Sequence, residues 1–348
     1  MAQYGSGVDV IAAFKKAATW HTAVSVNSAN LGFRILSDTI AMGIPAYVPD
    51  NSLGSAWRKG GDLGNIDLTN SDITLECRYD SLNTLLAMFF GVAGAPTQLG
   101  ATTAYRHTLT LANSLDGLFG TLAVYDGIIV RETPSVKVRG LEFTGRAGEA
   151  IQLRVMVIPD DRLEAGQVNT TLASVTFIAV DPRLMFDDAL IRINTASGGA
   201  LANSDTFYAS AFTLSMERPF RSDHVTDRRR SVSEPIADGK PTFQLSMTED
   251  RFSTVSRITD LKNRVLKKVD IEFLAGVNAG TAYPYRMYFE LPAMAYSDVR
   301  IPVSGPGAIV PDIVLQGEEA VTAPTGMVGL VKPVRLSLDN IQTVDSLA

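Results

Sequence analysis

The chain has 348 residues, of which 46% are hydrophobic and 20% charged, so it can bury a sizeable core and disorder is excluded as a default. Its net charge of −6 gives no general electrostatic attraction to nucleic acid. Its one cysteine, Cys77, cannot close an internal disulfide, which excludes a disulfide-stapled secreted fold.

The first residues, MAQYGSGVDVIAAFKKAATW, contain no continuous apolar region behind a basic start and do not read as a signal peptide. No apolar run approaches the ~20 residues that span a bilayer. Within this stretch VDVIAAFKKAA reads as one short helix. Residues 1–64 are otherwise rich in small and turn residues, as in GIPAYVPDNSLGSAWRKGGDLGN, and are read as an N-terminal arm and long loop. Tyr47 and Trp57 stand among those turn residues and are candidate intersubunit anchors, with core anchoring as the competing reading.

DITLECRYD alternates Ile73, Leu75 and Cys77 with polar neighbours, the pattern of a half-buried strand. SLNTLLAMFFG then changes period, placing Leu82, Leu85, Leu86 and Phe89 on one helical face, with Ser81 as the cap and Gly91 as the stop. YRHTLTLA and LFGTLAVYDG are further strands. A hairpin follows from Val136 to Val157. Leu141, Phe143, Ile151, Leu153, Val155 and Val157 share its dry face, while Glu142, Thr144, Gln152 and Arg154 share its wet face. Gly140 breaks the alternation, so a bulge is expected there.

After a polar connection, TLASVTFIAVD, ALIRINTA, FYASAFTLSMERPF and TFQLSMTEDRF read as strands. Between the last two lies RSDHVTDRRRSVSEPIADGKP, a solvated loop or subunit contact that includes Arg229. A helix is expected from Ser253 or Thr254 to Leu266. A second hairpin, Val269–Leu291, opposes Ile271 and Phe273 to Tyr285, Met287 and Phe289. The order strand, helix, hairpin thus occurs twice, and KV..EF recurs at Lys137 and Lys268. This favours two similar units over a solenoid: residues 65–185 and 186–348, each mainly β.

Catalytic signals are missing. His21, His107 and His224 have no metal-ligand spacing, no phosphate-binding glycine loop follows a strand, and no GxSxG elbow occurs. Asp160–Asp161 and Asp187–Asp188 are adjacent acids in turns, and match no calcium loop. No catalytic residue, cofactor or metal is expected.

Several segments, ITLECRYDSLNTLLAMFFG, AYRHTLTL, VKVRGLEFTGRAGEAIQLRVMV and FYASAFTLSMERPF, together with the later hairpin and VRLSLDN, resemble the major tail tube proteins of long non-contractile-tailed bacteriophages. The resemblance implies a mainly β fold of two tandem antiparallel β-sandwich or barrel domains, each with a flanking helix. It implies self-assembly into trimeric or hexameric rings stacked as a tube, in the virion tail and, during assembly, in the host cytoplasm. Tail terminator, tape measure and distal tail proteins are the implied partners, and double-stranded DNA transits without sequence-specific binding. Glu142, Gln152, Asp270 and Glu272 are then channel-facing candidates. Arg146, Arg154, Asn278, Arg286 and Arg229 join Tyr47 and Trp57 as intersubunit candidates, and the 144–150 and 274–284 loops are expected to touch neighbours. The alternatives are a distal-tail, tail-completion or hub ring, and a soluble β-sandwich ligand-binding module.

Overall fold

A computed structural model describes residues 10–47, 61–67, 71–250, 256–303 and 309–348. The principal strands are β1 (Ile11–Lys16), β2 (Ser71–Glu76), β3 (Tyr105–Leu111), β4 (Gly120–Tyr125), β5 (Val130–Arg146), β6 (Gln152–Pro159) and β7 (Ala189–Thr195). They continue with β8 (Ala209–Glu217), β9 (Thr242–Glu249), β10 (Lys267–Gly280), β11 (Tyr283–Arg300), β12 (Asp312–Gly317) and β13 (Arg335–Asn340). Helix α1 spans Asn83–Phe90 and α2 spans Arg257–Lys262.

IAAFKK is a strand, not the helix its local sequence suggests. It pairs antiparallel with β4, Phe14 opposite Leu122, and Ala12 and Ala13 are both fully buried. Ala12 joins the main core and Ala13 a second cluster with Val26, Ala123 and Leu172. Two covered faces demand small side chains on both, so tertiary burial overrides helix propensity.

Helix α1 ends as expected, with Gly91 in the left-handed region at φ 84° and its N–H on the Ala87 carbonyl. Its start differs: Leu82, not Ser81, is the N-cap, and no side chain caps the first turn. The guanidinium of buried Arg218 meets the other end, donating to the carbonyls of Phe90 (3.3 Å) and Ala112 (2.9 Å).

The principal strands belong to one 17-stranded sheet. One arm runs β2, β6, β5, β8, β9, β12 and the end of β11, every pair antiparallel. A second arm runs β7, β10, the start of β11, β13 and β3. β1 and β4 attach to the beginning of β5. The long strands β5 and β11 therefore change partners along their length.

The arms lie face to face. Phe143 meets Phe289 with ring centroids 5.0 Å apart, and Phe212 meets Phe273 at 6.0 Å. The row Leu75, Leu153, Phe143, Leu214, Leu245, Leu315 and Tyr296 crosses the first arm and is buried throughout.

The expectation of β-barrels is corrected. The fold is mainly β, but no ladder among the described strands returns to a strand it already contains, so no sheet is closed. The physical reason is the branching at β5 and β11: a strand that hands its edge to different partners at its two ends spreads the sheet, whereas closure needs one constant stagger around the circuit.

Candidate functional site

The bulge at Gly140 sets the geometry of the wall. The β5–β6 register shifts between Val138 and Gly140, after which Leu141 faces Val155, Glu142 faces Arg154 and Thr144 faces Gln152. A Cβ at Gly140 would lie 2.5 Å from Met156 Cε and 3.0 Å from the Met216 carbonyl oxygen, so only glycine fits without displacement.

Because antiparallel partners share a face, the wet side of this hairpin continues across the first arm. One row reads Thr74, Arg154, Glu142, Ser215, Gln244, Gln316 and Ala295; the next reads Glu76, Gln152, Thr144, Thr213, Ser246, Val314 and Asp298. Hydroxyls and amides dominate both rows. Several charges on this face are paired: Arg154 Nη2 lies 2.5 Å from Asp72 Oδ2, and Arg139 Nη1 lies 3.3 Å from Glu217 Oε1. Burying the dry row fixes this parity, since a one-residue slip would expose every apolar side chain.

Glu142 and Gln152 thus stand on one continuous polar wall, Glu142 half-buried and Gln152 exposed. Asp270 and Glu272 stand elsewhere, on the second arm. Asp270 is 1% exposed, accepts from Arg192 at 2.8–3.1 Å, and accepts from the Tyr288 hydroxyl at 2.9 Å. Glu272 accepts from Arg286 Nε at 2.6 Å and lies 3.3 Å from Arg192. Arg286 also lies over the Tyr288 ring at 4.1 Å. With Arg335 on Glu290 and Arg106 on Asp339, these residues lace the outer face of the second arm with ion pairs. The wet faces of the two arms therefore differ in chemistry: the rows of the first are mostly neutral and the second is cross-linked by charge.

Arg146 is exposed at the end of β5 opposite Ala211, on the wall's margin. Asn278 is exposed at the irregular tip of the β10–β11 hairpin, whose Ala279 carbonyl accepts from Thr103 Oγ1 at 2.7 Å. Arg229 is exposed in the 221–230 stretch, 3.9 Å from Asp227. Tyr47 pairs through its backbone with Asp62, forming a narrow ribbon with Ala46 and Leu63. Trp57 lies outside the described residues, as does the beginning of the helix expected before Leu266.

Two edges bound the wall. At one, residues 36–39 cover β2: the Leu36 and Thr39 N–H groups donate to the Thr74 and Asp72 carbonyls, and the Asp72 N–H donates to Thr39 Oγ1. At the other, β11 pairs with β12 from Met294 to Arg300, and no other described strand pairs with Tyr296–Arg300. Exposed Leu36, Met42, Ile44 and Leu63 lie in the segments leading from the first edge.

The chemical groups read as non-catalytic have structural partners. Cys77 is fully buried, which pushes its thiol pKa up. His107 is buried in β3, contacting the Gln342 carbonyl through Nε2 at 2.9 Å and Ser346 Oγ through Nδ1 at 3.3 Å. His21 Nδ1 lies 2.9 Å from Asp160 Oδ2, and this hydrogen bond raises the imidazole pKa. Among the described residues no three His, Cys, Asp or Glu side chains converge as metal ligands. No described helix is long and apolar enough to cross a membrane.

Sequence parity placed Glu142 and Gln152 on one face but missed Thr213, Ser215, Gln244, Ser246 and Gln316. Their own alternation in FTLSME and TFQLSM was readable; which strand lay beside which was not. Comparison of the chain with protein-family models and with curated proteins found no match.

Proposed function

We propose that the chain is a structural subunit of a phage tail tube, assembling with copies of itself into stacked rings around a channel for double-stranded DNA. The observation that carries this reading is the polar wall of the first arm, spanning seven strands and ending, among the described residues, in one edge covered by the short segment 36–39 and one open edge at Tyr296–Arg300. An unpaired edge is a template for another strand, and joining such edges between copies closes a ring without a new fold. A wall of Ser, Thr and Gln with paired charges offers a polyanion no array of cations, which suits passage without retention. The internal β5–β8 junction gives the pattern: strands from the two halves of the chain are already joined edge to edge as ring neighbours would be.

In this reading the ribbon at Ala46–Tyr47 and Asp62–Leu63 reaches toward the adjacent ring. Tail terminator and distal tail proteins would cap the two tube ends, and a tape measure protein would occupy the channel before DNA does. The protein would belong to the virion.

Sedimentation across protein concentration, combined with electron microscopy of the largest species, tests this. Rings with an open centre that stack axially are expected. A monomer at every concentration, with no ring in the images, would overturn the reading; rings that never stack would redirect it to a tail-end ring.

A further inference from the structure

A cavity of about 380 Å³ lies between the end of β1, the first turn of α1 and residues 342–348. Phe14, Phe33 and Leu85 give it apolar wall, while Asp80, Ser81 and Asn83 give it polar wall. Asp80 is 1% exposed, and neither carboxylate oxygen makes a hydrogen bond. The Gln342 side chain and the Ile341 N–H lie beside it and favour its charged form, but less strongly than burial disfavours it. Asn83 Nδ2, also buried in this wall, is likewise without an acceptor.

No described cation pairs with Asp80. Lys16, on the cavity rim, places its Nζ on the Leu347 carbonyl, and Lys15 beside it makes no pair with Asp80. The nearby charge that acts on Asp80 is Asp181, of like sign. A buried carboxylate without a counter-charge is costly, so the site favours an incoming cation or a proton.

We propose that this cavity is a socket for a primary alkylammonium group, with the Asp80 carboxylate accepting its N–H donors and Phe14, Phe33 and Leu85 lining its methylene chain. The ammonium has two possible sources, a lysine side chain of a second copy or a free alkylamine. The first source rests on the assembly reading above; the socket itself does not. Burial, the largest cause, and Asp181 push the Asp80 pKa up to about 7, so the carboxylate that binds an ammonium forms as pH rises through neutrality.

The test is thermal denaturation of the full chain in n-butylammonium chloride against sodium chloride of equal ionic strength. At pH 8 the amine is expected to raise Tm by about 2–4 °C, with a smaller rise at pH 5 and none in Asp80→Asn. Asp80→Asn is nearly isosteric, and an unchanged near-UV spectrum checks that it folds. Equal shifts in the two salts, or a shift retained in Asp80→Asn, would overturn the socket. Sedimentation separates the sources. If a lysine of a second copy fills the socket, butylammonium competes with association and Asp80→Asn weakens it about tenfold. A free amine as the ligand leaves association unchanged while the Tm shift persists. A wild-type chain that never associates but shows the Asp80-dependent shift sinks the tube reading and leaves the socket standing.

Discussion

Residue by residue, the two hairpins separate by what their charges touch. Glu142 stands on the open polar wall, whereas Asp270 is buried and holds Arg192 and Tyr288. Asp270→Asn is therefore expected to cost about 2–4 kcal/mol in urea denaturation, because it removes the nearer of the two carboxylates that hold the largely buried Arg192 guanidinium, leaving only Glu272. Glu142→Gln should change stability by no more than about 0.5 kcal/mol in the same measurement. Asp80 behaves oppositely. Its raised pKa means the folded chain holds that proton more tightly than the unfolded chain. Its stabilising contribution is full below the ordinary carboxyl pKa of 3.8 and is lost as pH rises through about 7. Asp80→Asn should accordingly melt higher than the parent at pH 8, with the gap closing toward pH 4.

Among the elements, β5 decides the most. Its first part pairs with β4, its later part lies between β6 and β8, and the bulge at Gly140 lets one strand serve both roles. Gly140→Val would drive side-chain atoms against Met156 and the Met216 carbonyl. A loss of about 1–3 kcal/mol is expected. Disturbance should be concentrated at the β5–β6 and β5–β8 ladders, measurable by amide hydrogen exchange. Helix α1 is held at both ends by distant residues. Arg218 covers its last carbonyl, that of Phe90, burial pushing that guanidinium's pKa down to about 10, and Asn340 of β13 donates to the Tyr79 carbonyl and to Asn83 Oδ1.

For the whole molecule, the consequence is a polar wall whose edges face outward while its dry side is covered by the second arm. Replacing Thr213, Gln244 and Gln316 with lysine places three cations on that wall without touching the core. If the chain forms tubes as proposed, tubes carrying these substitutions should retain double-stranded DNA at low salt and release it as salt rises, whereas unmodified tubes should not retain it. Filter binding across a salt series measures this; equal retention by both would show that the wall does not meet the DNA.

Much of this was legible locally. Period-two alternation fixed both hairpins and the parity of Glu142, Gln152, Leu141 and Phe143, because a strand side chain can point only to one face or the other. The break at Gly140 and the stop at Gly91 were legible too, since each depends on a residue lacking a Cβ. The identity of strand neighbours was not, because backbone hydrogen bonds carry no sequence label. Packing alone decided that IAAFKK is a strand, that Ser81 caps nothing, that Asp270 is buried, and that the sheet branches and stays open. Each depends on what lies across the core from a residue, which the order of residues along the chain does not contain.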